Sequence, residues 1–150
     1  FFANDPYIVG VTHLNDCTAA APVFVNGRPV AFVAAVAHHS DVGGRVPGSE
    51  AGDSTSIMQE GLRIPPVLLF QAGQRRADIW ELFLLNSRTP HYCDGDLHAQ
   101  RAALKRGNDR LVEMFAKYGV DEMEASIADM LDATAQRTRR RIESVLKPGT

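Results

Sequence analysis

The sequence predicts an α+β protein with an N-terminal β-hairpin in a mixed sheet, a long Gly/Pro-rich loop and a helical C-terminal half. The dipeptide Asn26-Gly27 between two apolar runs is typical of the type I′ turn of a hairpin. Residues 40–75 are rich in Gly, Pro and Ser, and from residue 76 apolar residues recur every three or four positions. We therefore expect one segment with a strand and loop part, 1–75, and a helical part, 76–150.

Two strands are predicted on either side of the turn, over residues 21–25 and 28–37. The second is apolar at both odd and even positions, so we expect it to be buried on both faces. Pro22 and Pro29 cannot donate to the ladder, which limits pairing near the turn or places an edge there. The short run 67–70 is a further candidate strand.

Four helices are predicted in the second half. The first spans residues 77–86; the second spans 97–106, with Asp96 as its cap and Gly107 as its end. A third begins at residue 108 and stops at Gly119. Asp121 with Glu124 would start a long last helix, in which Met123 and Met130 fill the core.

Composition excludes several classes of partner. Sixteen basic and 18 acidic residues give a net charge of −2, which offers no electrostatic reason to expect nucleic acid or an anionic membrane. No apolar stretch approaches the roughly 20 residues of a membrane span, and no signal peptide is visible. Cys17 and Cys93 are far apart in the sequence, so we expect free thiols and a cytoplasmic protein.

Both ends of the sequence suggest a segment of a longer polypeptide. The chain opens on Phe1 without an initiator Met, and Lys147-Pro148-Gly149-Thr150 is typical of a turn that leads into another element.

Three of the five histidines fall in two short clusters with carboxylates, Thr12-His13-Leu14-Asn15-Asp16 and His38-His39-Ser40-Asp41. In a regular two-residue hairpin, Val25 faces Arg28 and facing positions sum to 53, which places His38 opposite Asn15. His13 and His38 then become diagonal neighbours, about 7–8 Å apart at the backbone. Asp16 and Asp41 have the wrong parity, so at least one needs a bulge or a turn to join the histidines.

Two imidazoles and a carboxylate suit a divalent ion such as Zn²⁺, Mn²⁺ or Fe²⁺, and they leave positions open for water or substrate. The alternative is that these are hairpin-end histidines with their own hydrogen-bond partners.

An ordered series of motifs runs through the chain: Asn4-Asp5-Pro6-Tyr7, Thr12-His13-Leu14-Asn15-Asp16, Pro22-Val23-Phe24 with Gly27, His38-His39-Ser40-Asp41-Val42-Gly43-Gly44, Pro47-Gly48-Ser49, Glu60-Gly61-Leu62-Arg63-Ile64-Pro65-Pro66 and Gly95-Asp96-Leu97 with Ala99-Gln100. This series resembles the hydantoinase B/oxoprolinase family over nearly the whole chain. The family's subunit is much longer than 150 residues. Two departures are Val9-Gly10-Val11, where Gly-Gly is usual, and Glu50, where an apolar residue is common.

The resemblance implies an ATP-dependent enzyme in two parts. A hydantoinase A-like partner would bind ATP and activate a small-molecule substrate, and this part would hold the divalent metal, Zn or Mn. The ligands would be His13, Asp16 and His38, with His39 and Asp41 adjacent. The expected function is opening of a cyclic amide such as a hydantoin, 5-oxoproline or a lactam. The alternatives are a carboxylase of the acetone carboxylase type and a non-catalytic assembly segment.

Five other residues are candidates for a role at the site. Glu60 could act as a general base, although a loop carboxylate equally often caps a turn. Asp41 is a second candidate catalytic carboxylate. Arg63 could bind a phosphate or carboxylate of the substrate. His39 and Asp5 could support a ligand histidine, although Asp5 also suits a turn at Pro6.

Overall fold

The computed structural model describes residues 1–146, so the turn predicted at Lys147-Pro148-Gly149-Thr150 lies outside the described part. Its elements are β1 (Phe2–Ala3), α1 (Pro6–Val9), β2 (Asp16–Val25), β3 (Arg28–His38), a 3₁₀ turn (Ile57–Gln59), β4 (Phe70–Gln71), β5 (Gln74–Arg75), α2 (Ala77–Leu85), α3 (Pro90–Tyr118) and α4 (Val120–Val145). The α+β class is confirmed, with strands first and helices from Ala77 onward. The chain forms two compact units, Phe1–Asp109 and the residues from Arg110 onward.

The main sheet is antiparallel, in the order β1-β2-β3. Its hairpin turns at the predicted dipeptide, where Asn26 and Gly27 have φ of 51° and 78°, as a type I′ turn requires. β2 is the central strand and β3 forms an edge. The candidate strand at 67–70 is present in part, since Val67 bridges to Phe2 and β4 begins at Phe70.

The register of the hairpin differs from the predicted one by one residue. Phe24 faces Pro29, but Val23 faces Ala31, so Val30 is an extra residue in β3 and forms a bulge. From there to the end of the hairpin, facing residues sum to 54, and His38 lies opposite Asp16 rather than Asn15. Pro29, which faces Phe24, lies directly before this bulge.

β3 is not buried on both faces, so that prediction is wrong. Its side chains alternate, with Phe32 and Val36 68% and 62% exposed and their neighbours partly buried. One face lies against α3, where the Gln100 side chain donates to the carbonyl of Ala35 on β3 and to that of Cys17 on β2. The run reads as uniformly apolar because its inward positions are small or branched and its outward positions carry Phe and Val.

α2 confirms one predicted helix, whereas α3 is a single helix where two were predicted. α2 lies where residues 77–86 predicted a helix. α3 is one helix of 29 residues, so neither a cap at Asp96 nor an end at Gly107 exists. Gly107 instead faces β3 closely: a Cβ there would come within 3.1 Å of Val33 Cγ1. The glycine permits close helix–strand packing inside the first unit.

α4 belongs to the second unit and is described by itself. It begins at Val120, one residue before the predicted Asp121, and Gly119 with φ of 86° ends α3 as predicted. None of its residues is fully buried, and Met130 is exposed, so the prediction that Met130 fills the core is wrong.

Residues of the main sheet, the long loop, α2 and α3 form the hydrophobic core of the first unit. Its largest fully buried side chains include Phe2, Val42, Trp80, Phe83 and Leu97. Cys17 and Cys93 are also buried in it, as free thiols. Among the described residues, no helix is long and apolar enough to cross a membrane.

Candidate metal centre

Asp16 and His38 form a hydrogen-bonded pair at the open end of the hairpin. His38 Nδ1 lies 2.8 Å from Asp16 Oδ1, and the hydroxyl of Thr12 donates to Asp16 Oδ2 at 3.1 Å. Partial burial favours the neutral acid, but the hydrogen bonds from His38 and Thr12 and the electrostatic attraction of the nearby His38 and His13 rings outweigh it. They hold the pKa of Asp16 below its usual range, so the carboxylate is ionised near neutral pH.

His13 lies in the turn just before β2 and reaches the same place. Its ring centroid is 5.8 Å from that of His38, with the two rings nearly perpendicular at 84°. Both side chains are about half exposed, 54% for His13 and 51% for His38. The structure therefore brings together the three residues that the resemblance implies as ligands, and leaves them accessible to solvent.

Glu50 is a fourth member of this cluster, and sequence reasoning did not select it. Its Oε1 lies 3.6 Å from His38 Nε2 and 3.8 Å from His13 Nδ1. The available signal was that Glu50 occupies a position where an apolar residue is common. Sequence spacing could not reveal it, since the long loop carries it back to the histidines.

Asp41 is fully buried and holds that loop in shape. Its carboxylate accepts hydrogen bonds from the backbone N–H groups of Gly43, Gly48 and Arg88 and from the Arg88 guanidinium, 2.9 Å away. Burial acts to raise the pKa of Asp41, but these donors outweigh it and lower the pKa below its ordinary value of 3.8. Arg88, another residue that sequence reasoning missed, also donates to the loop carbonyls of Gly43 and Val46.

His39 points the opposite way from His38, into the core, because neighbouring side chains alternate at the strand end. Its Nε2 lies 3.2 Å from the Gln100 side-chain oxygen, and its ring makes edge contacts with Phe2 and Phe83. Nδ1 is buried without a hydrogen-bond partner among the described residues and lies 3.9 Å from Asp96 Oδ2. The structure thus connects His39 to α3 rather than to His13 or His38.

Asp5 and Arg63 are partners of each other. Arg63 Nη2 donates to Asp5 Oδ2 at 2.7 Å, and the guanidinium lies over the Tyr7 ring at 5.3 Å. The bond from Arg63 is the main reason that the pKa of Asp5 is lowered. Asp5 also accepts from the Tyr7 N–H and caps α1, as the turn at Pro6 predicted.

A cleft of about 400 Å³ opens beside the histidines. His13, Glu50 and Glu60 line it, together with Thr12, Leu14, Asn15, Ser49, Ala51 and Gly52. Such a volume lies within the usual range for small-molecule sites, about 300–1,000 Å³. Glu60 therefore lines the same cleft as His13, although the two residues are far apart in the sequence.

A larger pocket of about 570 Å³ lies between β2, the β4–β5 turn and α3. It is mostly apolar, and its lining contains no histidine or carboxylate side chain. The chemistry-bearing groups are gathered at the smaller cleft, which is therefore the candidate functional site.

Imidazole and carboxylate donors are of the kind that bind a divalent ion, but the described side chains do not have the arrangement of a metal site. Across residues 1–146, no set of three or more His, Cys, Asp or Glu side chains meets the geometry of a bound metal. Pairwise, however, imidazole nitrogens and carboxylate oxygens lie 2.8 to 3.8 Å apart.

These features define the class of protein: an α+β domain with imidazole and carboxylate side chains gathered at the open end of its hairpin, next to a cleft that His13 lines. Comparison with known proteins then shows the family. The chain belongs to the hydantoinase B/oxoprolinase family, whose model matches residues 1–150.

Three relatives illustrate the range of this family. Caprolactamase subunit beta of Pseudomonas jessenii is 40% identical over 96% of this chain, which spans 25% of that subunit. The crystal structure of ATP-dependent caprolactamase from the same organism superposes with a TM-score of 0.90 and 39% identity, covering 97% of this chain and 25% of that one. A 5-oxoprolinase of Dictyostelium discoideum is 35% identical over 77% of this chain and 9% of its own length. The acetophenone carboxylase delta subunit of Aromatoleum aromaticum is 29% identical over 95% of this chain and 21% of its own length.

Proposed function

We propose that this chain carries the metal site of an ATP-dependent amidohydrolase that opens a cyclic amide such as a hydantoin, 5-oxoproline or a lactam. The observation that carries the proposal is the meeting of His13, Asp16 and His38 beside an accessible cleft, of which His13 forms part of the wall. Its chemical direction comes from the similarity to a caprolactamase subunit and to a 5-oxoprolinase.

His13, Asp16 and His38 would hold the divalent ion, Zn²⁺ or Mn²⁺. When bound, such an ion lowers the pKa of a coordinated water and polarises a carbonyl group. Asp16 keeps the His38 ring in one orientation through the hydrogen bond at 2.8 Å. Glu60, on the wall of the same cleft, would act as the general base that takes a proton from water.

The other candidate residues support this site from a distance. Asp41 would position the loop that forms one wall of the cleft, since its carboxylate binds three backbone N–H groups there. His39 would anchor the strand end to α3. Asp5 fixes the guanidinium of Arg63, which we propose as the group that binds an anionic part of the substrate.

ATP would bind to a hydantoinase A-like partner, so that the working enzyme is a hetero-oligomer. Support comes from the caprolactamase of Pseudomonas jessenii, which is an ATP-dependent enzyme and whose matching chain is its beta subunit. The chain spans about a quarter of that subunit, so these parts of the proposal concern the complete enzyme.

The test uses the complete polypeptide, co-purified with its partner and supplied with metal, ATP and a panel of cyclic amides. We expect ADP to form only in the presence of a cyclic amide that the enzyme opens. The amount of ADP should equal the amount of ring-opened acid. Ring opening that proceeds at the same rate without ATP would contradict the proposal.

A second candidate is an ATP-dependent carboxylase, because a carboxylase subunit is among the relatives. Labelled bicarbonate separates the two, since label fixed in the product would exclude the hydrolase. A third candidate is a non-catalytic assembly segment. Failure of the complete protein to take up stoichiometric Zn or Mn after reconstitution would favour it.

A further inference from the structure

Helix α4 carries an exposed apolar stripe along its length. The members of this stripe lie three or four positions apart and are Val120, Met123, Ile127, Leu131, Thr134, Thr138, Ile142 and Val145. No residue of α4 is fully buried, and Leu131 and Val145 are 66% and 60% exposed. A helix in a protein is stabilised mainly by the packing of its apolar face. An exposed stripe on a helix of 26 residues, about 39 Å long, therefore indicates an interaction surface.

The stripe is symmetrical about its midpoint, which lies between Asp132 and Ala133. Its successive members are 3, 4, 4, 3, 4, 4 and 3 positions apart, so the spacing is the same when the helix is followed from either end. Two copies of α4 that lie antiparallel about this midpoint would face each other with matching spacing. The opposed pairs would include Met123 with Ile142, Ile127 with Thr138, and Leu131 with Thr134. A two-fold interface requires such a self-complementary surface.

Charge divides α4 into two halves at the same midpoint. Residues 120–132 contain five carboxylates and no basic side chain, whereas residues 133–145 contain four arginines and one carboxylate. The helix macrodipole favours acidic residues at the start and basic residues at the end, but only within the first and last turns. It therefore does not account for Asp129, Asp132 or Arg137, which lie further in.

Several of these charges repel each other within one helix. Asp129 and Asp132 are three positions apart, and Arg137 and Arg141 are four positions apart. At these spacings side chains are neighbours on the helix surface, and like charges destabilise it. An antiparallel second copy sets the acidic half against the basic half, with Glu124 at the level of Arg141. A parallel second copy would instead set like charges against each other.

We propose that α4 pairs with α4 of a second copy of this chain, antiparallel about the midpoint between Asp132 and Ala133. The two apolar stripes form the contact, and the opposite charges of the two halves determine the direction of pairing. This pairing does not depend on the proposed metal site.

Crosslinking of cysteine variants of the complete polypeptide by a short bis-maleimide tests the pairing. One copy carries Met123→Cys and the other carries Ile142→Cys. We expect a mixture of the two variants to give a crosslinked dimer, with peptide mass spectrometry locating the link between positions 123 and 142. Neither variant should crosslink with itself, because like positions in the antiparallel pair are about 28 Å apart along the helices. The unmodified protein gives the background from the buried thiols of Cys17 and Cys93.

Ala125→Cys mixed with Arg140→Cys is the matched control. These positions are also symmetrical about the midpoint, but each is two residues away from a stripe position. Two residues turn the helix by about 200°, so both positions lie on the opposite face. This mixture should give no crosslink above the background.

A charge exchange tests the role of the two halves. Glu124→Lys, added to the Met123→Cys copy, should lower the initial rate of crosslinking by about two- to fivefold, the effect of one exposed ion pair. Arg141→Glu, added to the Ile142→Cys copy, should restore that rate, because the two charges are then exchanged. A rate that stays low after the exchange would show that these halves do not face each other.

Two results would overturn the proposal. If the mixture gives no crosslink while circular dichroism shows that every variant is folded, another segment or another protein covers α4. If either variant crosslinks with itself, the helices pair in parallel. Val120→Cys mixed with Val145→Cys provides a second symmetrical pair, which keeps the test decisive if Met123→Cys or Ile142→Cys does not fold.

Discussion

Asp16 and His38 face each other across the end of β2 and β3, 2.8 Å apart, because β3 contains one residue more than a regular hairpin would. A slip of one residue moves every side chain to the opposite face of a strand. Without the bulge at Val30, Asn15 would face His38. Instead the buried Asn15 amide donates to the carbonyls of His39 and Gly48, and so ties the hairpin end to the loop.

Replacing either histidine is expected to abolish metal binding while the fold remains. His13→Ala and His38→Ala each remove an imidazole that no neighbouring side chain replaces at the same position. Because both side chains are about half exposed, we expect each variant to change the free energy of unfolding by less than about 0.5 kcal/mol. Elemental analysis of the complete protein gives the metal content, and urea unfolding gives the stability.

His91→Ala is the control for these two variants, because His91 is an exposed histidine of α3 whose ring contacts Tyr92. It should retain full metal content. Full occupancy in His13→Ala or His38→Ala would show that the metal assignment is wrong.

Glu60→Gln should separate catalysis from metal binding. Glu60 lines the cleft with His13, and a general base typically contributes about 10²- to 10⁴-fold to the rate. We expect kcat to fall by that order with unchanged metal content, and the limb of the pH–rate profile that reports the base to disappear. Glu81→Gln, an exposed carboxylate on α2, should leave kcat unaltered. A Glu60→Gln enzyme with normal kcat would exclude this role.

Asp41→Asn should destabilise the fold in a pH-dependent way. Hydrogen bonds to buried charged groups contribute about 1.5–3 kcal/mol, and Arg88 remains partly solvated after the change, so we expect a loss of about 2 kcal/mol at pH 7. The pKa of Asp41 is lowered on folding. Its stabilising effect is therefore present above the ordinary carboxyl value of 3.8 and lost as the pH falls through the lower folded value.

Urea unfolding from pH 7 down to pH 2 measures this effect. The difference in unfolding free energy between the unmodified protein and Asp41→Asn should be constant above about pH 5 and should shrink as the pH falls below it. Asp53→Asn, an exposed ion-pair partner of Arg45, should show little difference at any pH. A gap that widens as the pH falls would contradict the assigned pKa direction.

The hairpin could be predicted because its signal is local. Asn26-Gly27 needs positive φ at both positions, and the flanking residues are apolar, so the turn and the pairing of strands follow from a few neighbours in sequence. The bulge could not be predicted in the same way. It depends on the detailed pairing of Pro29 and Val30 with Val23 and Phe24, which no local sequence pattern indicates. That single residue decides whether Asp16 joins the site.

Glu50 and Arg88 escaped prediction because their roles depend on contacts between distant parts of the chain. Glu50 meets His13 over 37 positions, and Arg88 reaches Asp41 over 47. Contacts between residues so far apart in the sequence produce no periodic pattern from which they could be predicted. The resemblance did select His13, Asp16 and His38, and the structure brings these three residues close together.

Gly107 does not end a helix as predicted. Glycine occurs in helices for two reasons, since it ends them and it also permits close packing against a neighbouring element. In α3 it does the second, since an added Cβ would lie 3.1 Å from Val33 Cγ1 on β3. In an unconstrained helix, replacing glycine by alanine gains about 1 kcal/mol. We expect Gly107→Ala not to stabilise the protein, because the added Cβ would crowd Val33. The same substitution in a Val33→Ala background should show the full gain in unfolding free energy.

A double-mutant cycle in urea unfolding measures this coupling, which should amount to roughly 1 kcal/mol, within the range for residues in contact. Gly95→Ala on the same helix is the matched control, because an added Cβ there has no neighbour within 4 Å. It should stabilise the protein by about 1 kcal/mol on its own. If Gly107→Ala alone stabilises as much as Gly95→Ala, then close approach to β3 is not the reason for the glycine. In that case the path of α3 beside Val33 would need another explanation.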